Sequence, residues 1–285
     1  MSRSTVGVSR STAGVVVRSA GLVVDVTGSG PPLLMLHGFT GSAQTWADAV
    51  HHWRTTRRVI TPDLLGHGRS AAPADPARYA LERQAADMAG LLDELDARPA
   101  DVLGYSMGAR LALQLALQEP GRLRSLVLES PSAGIADAVA RADRRTADER
   151  LAIVIEERGL AAFVERWRSQ PLFASHAGLS VEARERLHAE RLGHDPRGLA
   201  AALRGAGQGV MAPLHERLGA IGCPTLVIAG SLDDAGIERA RVVAAGLQSA
   251  RFAVIEGAGH SPHLEQPQEF LRLASEHLAR TSDRT

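Results

Sequence analysis

Three polar side chains follow strand-like runs at positions from which they could form a serine-based catalytic group. Ser106 is the central residue of GYSMG (104–108), the G-x-S-x-G pattern of a nucleophile elbow. A serine hydroxyl needs a general base, and that base needs a carboxylate to orient it. Asp233, in AGSLDD, and His260, in EGAGHSPHLEQP, follow the serine in the order that is typical of this elbow. The sequence therefore predicts a catalytic triad of Ser106, Asp233 and His260.

Two neighbouring residues compete for the roles of acid and base. Asp234 directly follows Asp233, and the preference for Asp233 rests on loop length alone. His263 is the alternative base, but it falls where the next helix is predicted to begin. We therefore expect His263 to support the site or to lie on the surface, and His260 to act as the base.

Backbone amides beside the serine could stabilise negative charge on a reaction intermediate. The amide of Met107 directly follows the serine, and the loop LHGFTGS (36–42) supplies a second amide, predicted to be that of Phe39. Such an oxyanion hole stabilises an acyl intermediate and an enolate alike. It therefore does not separate hydrolysis from proton abstraction.

A fixed positive charge is predicted close to the serine. Arg110 follows Ser106 by four residues, so in a helix that starts at the serine it lies on the same face, one turn further on. A buried guanidinium is costly unless it meets an anion. Arg110 is therefore expected to pair either with a carboxylate of the protein or with an acidic substrate, which a guanidinium can bind through two parallel hydrogen bonds.

The elements that must position these residues alternate between strand and helix. The strand-like runs are GVVVRS and LVVDV (14–26), PLLMLHG (32–38), RVITPDL (58–64), DVLGYS (101–106), RSLVLES (124–130), PTLVIAGS (224–231) and RFAVIEG (251–257). Helical periods separate them, for example in YALERQAADMAGLLDELD (79–96). This alternation predicts an α/β fold with a mostly parallel, eight-stranded sheet and helices on both of its faces.

One long segment breaks the alternation. Residues 131–213 contain no strand-like run, and a connection of that length is too long for a single crossover. We interpret 131–213 as a helical cap inserted after the sixth strand, over the sheet edge where ligands of open α/β sheets bind. The core is then formed by 14–130 and 214–285, and residues 1–13 are predicted to be a disordered tail. The first 24 residues contain no acidic residue, three arginines and many serines and threonines. This composition also resembles an organellar transit peptide, which is the less favoured interpretation.

Composition limits the classes of partner. The formal net charge is +0, which argues against nucleic acid or a membrane surface as a partner bound through bulk electrostatics. No apolar run approaches the roughly 18 residues that a membrane span needs. Cys223 is the only cysteine, so no intrachain disulfide can form and a cytoplasmic location is favoured. All 32 basic residues are arginine, so only the position of an arginine carries information.

Four motifs resemble a known superfamily. LHGFTGSAQTW, PDLLGHGRS, GYSMGARLAL and GAGHSPHLEQP are similar to the α/β-hydrolase superfamily, from about residue 14 to 282. Tyrosine before the serine, arginine four residues after it, and the stretches WRSQPLFAS and DPRGLAAALRGAGQG resemble more narrowly the 2-succinyl-6-hydroxy-2,4-cyclohexadiene-1-carboxylate synthases of menaquinone biosynthesis. The resemblance implies a lyase that eliminates pyruvate from a small polycarboxylate, without cofactor or metal, as a monomer or small homo-oligomer.

The resemblance also implies which residues bind the substrate. They are Tyr105, Arg110, Arg144, Trp167 and Arg191. Arg144 and Arg191 are matched only by spacing within arginine-rich helices, so Arg141, Arg145 or Arg186 remain alternatives. Ala109 stands where the relatives have glycine, a minor departure.

The competing function is a serine hydrolase of carboxylic esters or of carbon–carbon bonds. It would use the same triad, so only Arg110 and the arginines of the cap separate the two functions. A dehalogenase or epoxide hydrolase would need aspartate in place of Ser106, and a non-catalytic receptor would not normally keep an intact triad.

Overall fold

The eight predicted strands all form, and they lie in one sheet. The computed structural model describes residues 7–11 and 14–282. The strands are β1 (Gly7–Ser11), β2 (Gly14–Ser19), β3 (Leu22–Thr27), β4 (Pro32–Leu36), β5 (Arg58–Asp63), β6 (Ala100–Tyr105), β7 (Leu123–Glu129), β8 (Thr225–Gly230) and β9 (Ala250–Ile255). Their order is β1-β2-β3-β5-β4-β6-β7-β8-β9. The first four strands in that order pair antiparallel, and the pairs from β5 to β9 are parallel.

The predicted disordered tail was wrong for Gly7–Ser11. These residues form β1 and pair with β2 in an antiparallel hairpin, so the sheet formed by the described residues has nine strands rather than eight. The physical reason is that β2 would otherwise be an edge strand, whose unpaired N–H and C=O groups can accept another strand. The prediction for residues 1–6 and 12–13 lies outside the described residues.

Helices surround the sheet and continue into the inserted segment. They are α1 (Ala47–Trp53), α2 (Leu81–Glu94), α3 (Met107–Gln118), α4 (Ala138–Arg168), α5 (Val181–Leu192), α6 (Pro196–Ala206), α7 (Asp234–Gly246), α8 (Pro262–Glu265) and α9 (Pro267–Ser282). Short 3-10 helices include Ala43–Trp46 and Pro171–Gly178. In the described part of the chain, no helix combines the length and the apolar character needed to cross a bilayer.

The central strands are buried on both faces, as their continuous apolar runs predict. In β4, Leu34 and Leu36 point to the face covered by α2 and α3, whereas Leu33 and Met35 point to the face covered by α1 and α9. Successive side chains of a strand alternate between faces, so one short run contributes to both cores. This packing fixes the strand ends from which the functional loops leave.

The segment between β7 and β8 is helical and has a small apolar core of its own. Phe163 and Trp167 of α4 pack with Leu199 and Leu203 of α6 in this core. Non-helical backbone at Gly159 kinks α4. Together α4, α5 and α6 cover the carboxyl edge of the parallel strands, and we call them the cap.

Candidate active site

Ser106 lies on a strained turn between β6 and α3. Its φ of 53° is in the left-handed region, which costs free energy for a residue other than glycine. The flanking glycines allow the turn because a Cβ on Gly104 would lie 2.4 Å from the carbonyl oxygen of Gly108, and one on Gly108 would lie 2.0 Å from that of Leu36. This is the geometry that the G-x-S-x-G pattern predicts, and it projects the serine side chain beyond the sheet edge.

The three predicted triad residues meet at that edge. His260 Nε2 lies 3.1 Å from Ser106 Oγ, and His260 Nδ1 lies 2.8 Å from Asp233 Oδ2. Because a carboxylate can only accept, Nδ1–H donates to Asp233 and Nε2 is left to accept the serine proton. Burial opposes the ionisation of Asp233, but hydrogen bonding and charge from His260, with the amide of Gly236, bring its pKa below the ordinary value. A proton can therefore pass from the serine to a histidine that is already held in the required tautomer.

The two alternative residues lie elsewhere. Asp234 is exposed in the first turn of α7. His263 is buried rather than on the surface, and its Nδ1 lies 2.8 Å from Glu129 Oε1 at the end of β7. Its ring is 4.7 Å from that of Tyr105, so it packs behind the site.

Phe39 and Met107 line the cavity that contains Ser106. Met107 is the first residue of α3, and the first amides of a helix have no partner within it. The direction of the Phe39 amide is controlled by His37. His37 Nε2 accepts from the amide of Leu64 at 2.9 Å, so its Nδ1–H must donate to the carbonyl of Gly38 at 2.8 Å. That carbonyl and the Phe39 N–H belong to one planar peptide group, so His37 orients both.

Arg110 lies in the same cavity, which has a volume of about 220 Å³. Its guanidinium is buried and donates to the carbonyl of Ala206 at 2.7 Å. Among residues 7–11 and 14–282, no carboxylate forms an ion pair with it. Burial, and then the charge of Arg144, lower the pKa of Arg110 to about 10. The charge of Asp148, which lines the same cavity, opposes this shift. The group is therefore still charged at neutral pH, and it has no ion-pair partner among the described residues.

Two cap arginines also line the cavity. Arg144 Nε donates to Asp148 Oδ1 at 2.8 Å. Arg191 is buried, its guanidinium carbon lies 5.2 Å from the ring centre of Phe173, and burial lowers its pKa. The alternatives Arg141, Arg145 and Arg186 do not line this cavity. The structure thus brings Arg110, Arg144 and Arg191 to one space beside the serine.

Aromatic side chains close the space above the serine. Trp167 contacts Phe39 edge-to-face at a centroid distance of 5.3 Å and also packs against Phe173. Tyr105 lies deeper, with its hydroxyl 2.7 Å from Ser261 Oγ, and Ser261 Oγ is 3.1 Å from His176 Nε2. Sequence reasoning missed His176 and Ser261, because neither stands in a pattern with a chemical meaning of its own.

A family model of the α/β hydrolase fold matches residues 31–267 of the chain. The match includes Ser106, Asp233 and His260. The described nine-stranded sheet, with its cap between β7 and β8, has the architecture that this match implies.

Curated sequences include more specific relatives. A Bacillus subtilis protein, provisionally assigned as a 2-succinyl-6-hydroxy-2,4-cyclohexadiene-1-carboxylate synthase, is 38% identical over 246 residues. These residues cover 86% of this chain and 89% of that protein. The chain belongs to this synthase family. The Salmonella typhimurium synthase of the same name is 32% identical over 238 residues, covering 83% of this chain and 89% of that one.

Solved structures agree with the sequence comparison. MenH from S. aureus superposes with a TM-score of 0.87 at 30% identity, over 92% of this chain and 99% of that one. A thermophilic esterase from Thermogutta terrifontis superposes with a TM-score of 0.78 at 28% identity, over 98% of this chain and 99% of that one. The fold of the synthase family is thus shared with esterases, and the activity has to be argued from the site.

Proposed function

We propose that the protein is a carbon–oxygen lyase of menaquinone biosynthesis. It would eliminate pyruvate from 2-succinyl-5-enolpyruvyl-6-hydroxy-3-cyclohexene-1-carboxylate to give 2-succinyl-6-hydroxy-2,4-cyclohexadiene-1-carboxylate, the product named in its relatives. The substrate is a small polycarboxylate. A cytoplasmic location and a monomer or small homo-oligomer remain predictions.

The observation that carries the proposal is the buried guanidinium of Arg110 beside Ser106. A charge of this kind needs an anion. Asp148 raises the pKa of Arg110 through its charge, but no carboxylate of the described residues forms an ion pair with this guanidinium. Arg144 and Arg191 line the same cavity, so three cations face one space of about 220 Å³. A substrate with several carboxylates could bind to them through charge-assisted hydrogen bonds, each contributing about 1.5–3 kcal/mol. A neutral ester would leave Arg110 and Arg191 without an ion-pair partner.

The triad would act as a base in this reaction. His260, held by Asp233, accepts the serine proton, and Ser106 Oγ removes the ring proton at C2, which is α to the succinyl ketone. The charge delocalises onto the ketone oxygen, where the amides of Phe39 and Met107 and the N-terminus of α3 stabilise it. The double bonds then shift to C2–C3 and C4–C5 as the C5–O bond breaks. Enolpyruvate takes up a proton and leaves as pyruvate, with no acyl-enzyme.

A coupled assay tests the proposal. Purified protein is incubated with the enolpyruvyl substrate, and pyruvate is followed through NADH oxidation by lactate dehydrogenase. We expect one pyruvate per substrate and loss of the reaction in the Ser106→Ala variant. Absence of pyruvate, together with rapid turnover of nitrophenyl esters, would contradict the proposal and favour the hydrolase.

A further inference from the structure

Three buried histidines lie between the sheet, the loop that carries Phe39 and the cap. The rings of His37 and His67 have centroids 5.1 Å apart, and those of His67 and His194 are 5.5 Å apart. Burial lowers the pKa of each of the three histidines. His37 and His67 belong to the core, whereas His194 lies between α5 and α6 of the cap.

His194 bridges two loops of the core. Its Nδ1 accepts from the amide of Gly68 at 2.9 Å, because a backbone N–H can only donate. The proton therefore resides on Nε2, which donates to the carbonyl of Thr40 at 2.9 Å. Both ring nitrogens are thus used, and the neutral tautomer is fixed by its partners.

The position of this bridge matters because of what stands on either side of Phe39. The carbonyl of Gly38, before it, is held by His37 of the core, and the carbonyl of Thr40, after it, is held by His194 of the cap. Thr40 has a φ of 67°, in the left-handed region, so the loop is strained at the residue that the cap holds. Without a donor at the Thr40 carbonyl, the strained turn could relax and rotate the preceding peptides.

The cap approaches the core closely at this place. A Cβ on Gly198 of α6 would lie 2.7 Å from the Cα of Gly66, so the two backbones are in contact three residues from Asp195, the N-cap of α6. His194 is 5% exposed. Its position therefore depends on the docking of the cap as well as on the two loops that it contacts.

We propose that His194 is a positioning residue through which the docked cap sets the direction of the Phe39 amide in the oxyanion hole. The oxyanion hole is then complete only when the cap is seated on the core. Catalysis would be coupled in this way to the same docking that places Arg144 and Arg191 in the cavity beside Ser106. The effect on turnover rests on the proposed function, whereas the effect on the loop does not.

Three substitutions separate the two hydrogen bonds of His194. His194→Gln keeps an N–H donor near the position of Nε2, and so keeps the bond to Thr40. His194→Asn keeps an acceptor near the position of Nδ1, and so keeps the bond to Gly68 alone. His194→Ala removes both, and His51→Ala, an exposed histidine on α1, is the control.

Two readouts are measured on each full-length variant. Hydrogen–deuterium exchange of the peptide 37–46 reports the loop, and kcat and KM of pyruvate elimination report the oxyanion hole. We expect His194→Ala and His194→Asn to speed exchange in 37–46 and to lower kcat about 10–100-fold, less than the 10²–10³-fold lost when an oxyanion donor is removed. KM should change less than threefold, and His194→Gln should recover most of kcat.

Other outcomes overturn the inference. Unchanged exchange in 37–46 for His194→Ala would show that the cap does not hold the loop. Faster exchange with unchanged kcat would show that the held loop does not set the oxyanion hole, and equal behaviour of the Gln and Asn variants would contradict the assigned bond. If wild-type protein produces no pyruvate, the proposed function fails, while the exchange measurement still decides whether His194 holds the loop. Thermal unfolding separates a folding defect from these effects.

Discussion

The triad and the arginine group share one cavity, but their polar atoms are satisfied in different ways. Each triad residue has its partner inside the protein: Ser106 with His260, and His260 with Asp233. Arg110 and Arg191, in contrast, are buried without an ion-pair partner in the described chain. If the proposed function holds, this difference means that the reacting groups are preorganised before the substrate arrives, whereas the binding groups are neutralised by it.

Arg144 lies between these extremes, since it is already paired with Asp148 and its side chain is 39% exposed. The comparison therefore predicts that loss of a triad residue affects the chemical step, loss of an unpaired arginine affects binding, and loss of a paired arginine affects both binding and stability.

The largest effect is expected for Asp233→Asn. An asparagine can donate to His260 Nδ1 and so stabilise the wrong tautomer, and the loss of kcat should be about 10³–10⁴-fold. The matched control is Asp234→Asn, whose carboxylate is exposed and should be dispensable. Steady-state kinetics of pyruvate release measure both, and similar losses for the two variants would contradict the assigned triad.

Arg110→Met should weaken substrate binding but leave the free energy of unfolding nearly unchanged. We expect kcat/KM for elimination to fall about 10–100-fold, the value of one charge-assisted hydrogen bond. The free energy of unfolding should stay within about 1 kcal/mol of wild type, because an unpaired buried charge is lost together with its bond to Ala206. Turnover of small neutral esters, where detectable, should be spared. An equal loss of activity on the enolpyruvyl substrate and on neutral esters would contradict the proposed role of Arg110 in binding substrate carboxylates.

Arg144→Met should have the opposite effect, a larger loss of stability and a smaller loss of substrate binding. Asp148 is buried and would lose its cation, so the free energy of unfolding should fall by about 1–3 kcal/mol. KM should rise less than in the Arg110 variant, because Arg144 already shares its charge with Asp148. The control is Arg145→Met, an exposed neighbour outside the cavity. Urea unfolding and KM measured on both variants test this prediction. A rise in KM larger than that of Arg110→Met would contradict the view that the paired arginine contributes less to binding than the unpaired one.

The smallest expected effect is the loss of stability when the pH is lowered. Burial lowers the pKa of His37 beneath the oxyanion loop, and of His277 in α9, to about 4. In the unfolded chain these groups titrate near 6.5, so between pH 6.5 and 4 the unfolded state binds more protons and stability falls as the pH falls. Each should cost about 1–2 kcal/mol between pH 7 and 5.

His277→Gln isolates one contribution, since His277 is far from the cavity. Its unfolding free energy should depend less on pH than that of wild type, with kcat unchanged. A pH dependence identical to wild type would show that His277 titrates normally in the folded protein.

Much of the core could be predicted from the sequence. Strands such as β4 and β8 come from short apolar runs with a glycine at or just beyond the end of the strand, and such runs are typical of strands that are buried on both faces. The elbow around Ser106 was predictable because only glycine fits beside such a turn. The strand β1 was missed, because the pairing of an edge strand depends on a free partner rather than on hydrophobic pattern.

The choice between neighbours needed the tertiary structure. In the sequence only loop length favoured Asp233 over Asp234, whereas in the structure Asp233 faces His260 once β8 and α7 are in place. Arg144 rather than Arg141 or Arg145 reaches the cavity because of how α4 packs on α6. The bridge made by His194 had no signal in the sequence at all.

The sequence by itself determined the strands, the glycine-dependent turn and the order of the catalytic groups, because steric limits and hydrophobic periodicity act between residues close in the chain. The tertiary structure decided which arginines share a cavity with Ser106. It also decided that Arg110 is buried without an ion-pair partner among the described residues. Those facts depend on the docking of the cap, where packing between residues far apart in the chain fixes each side chain.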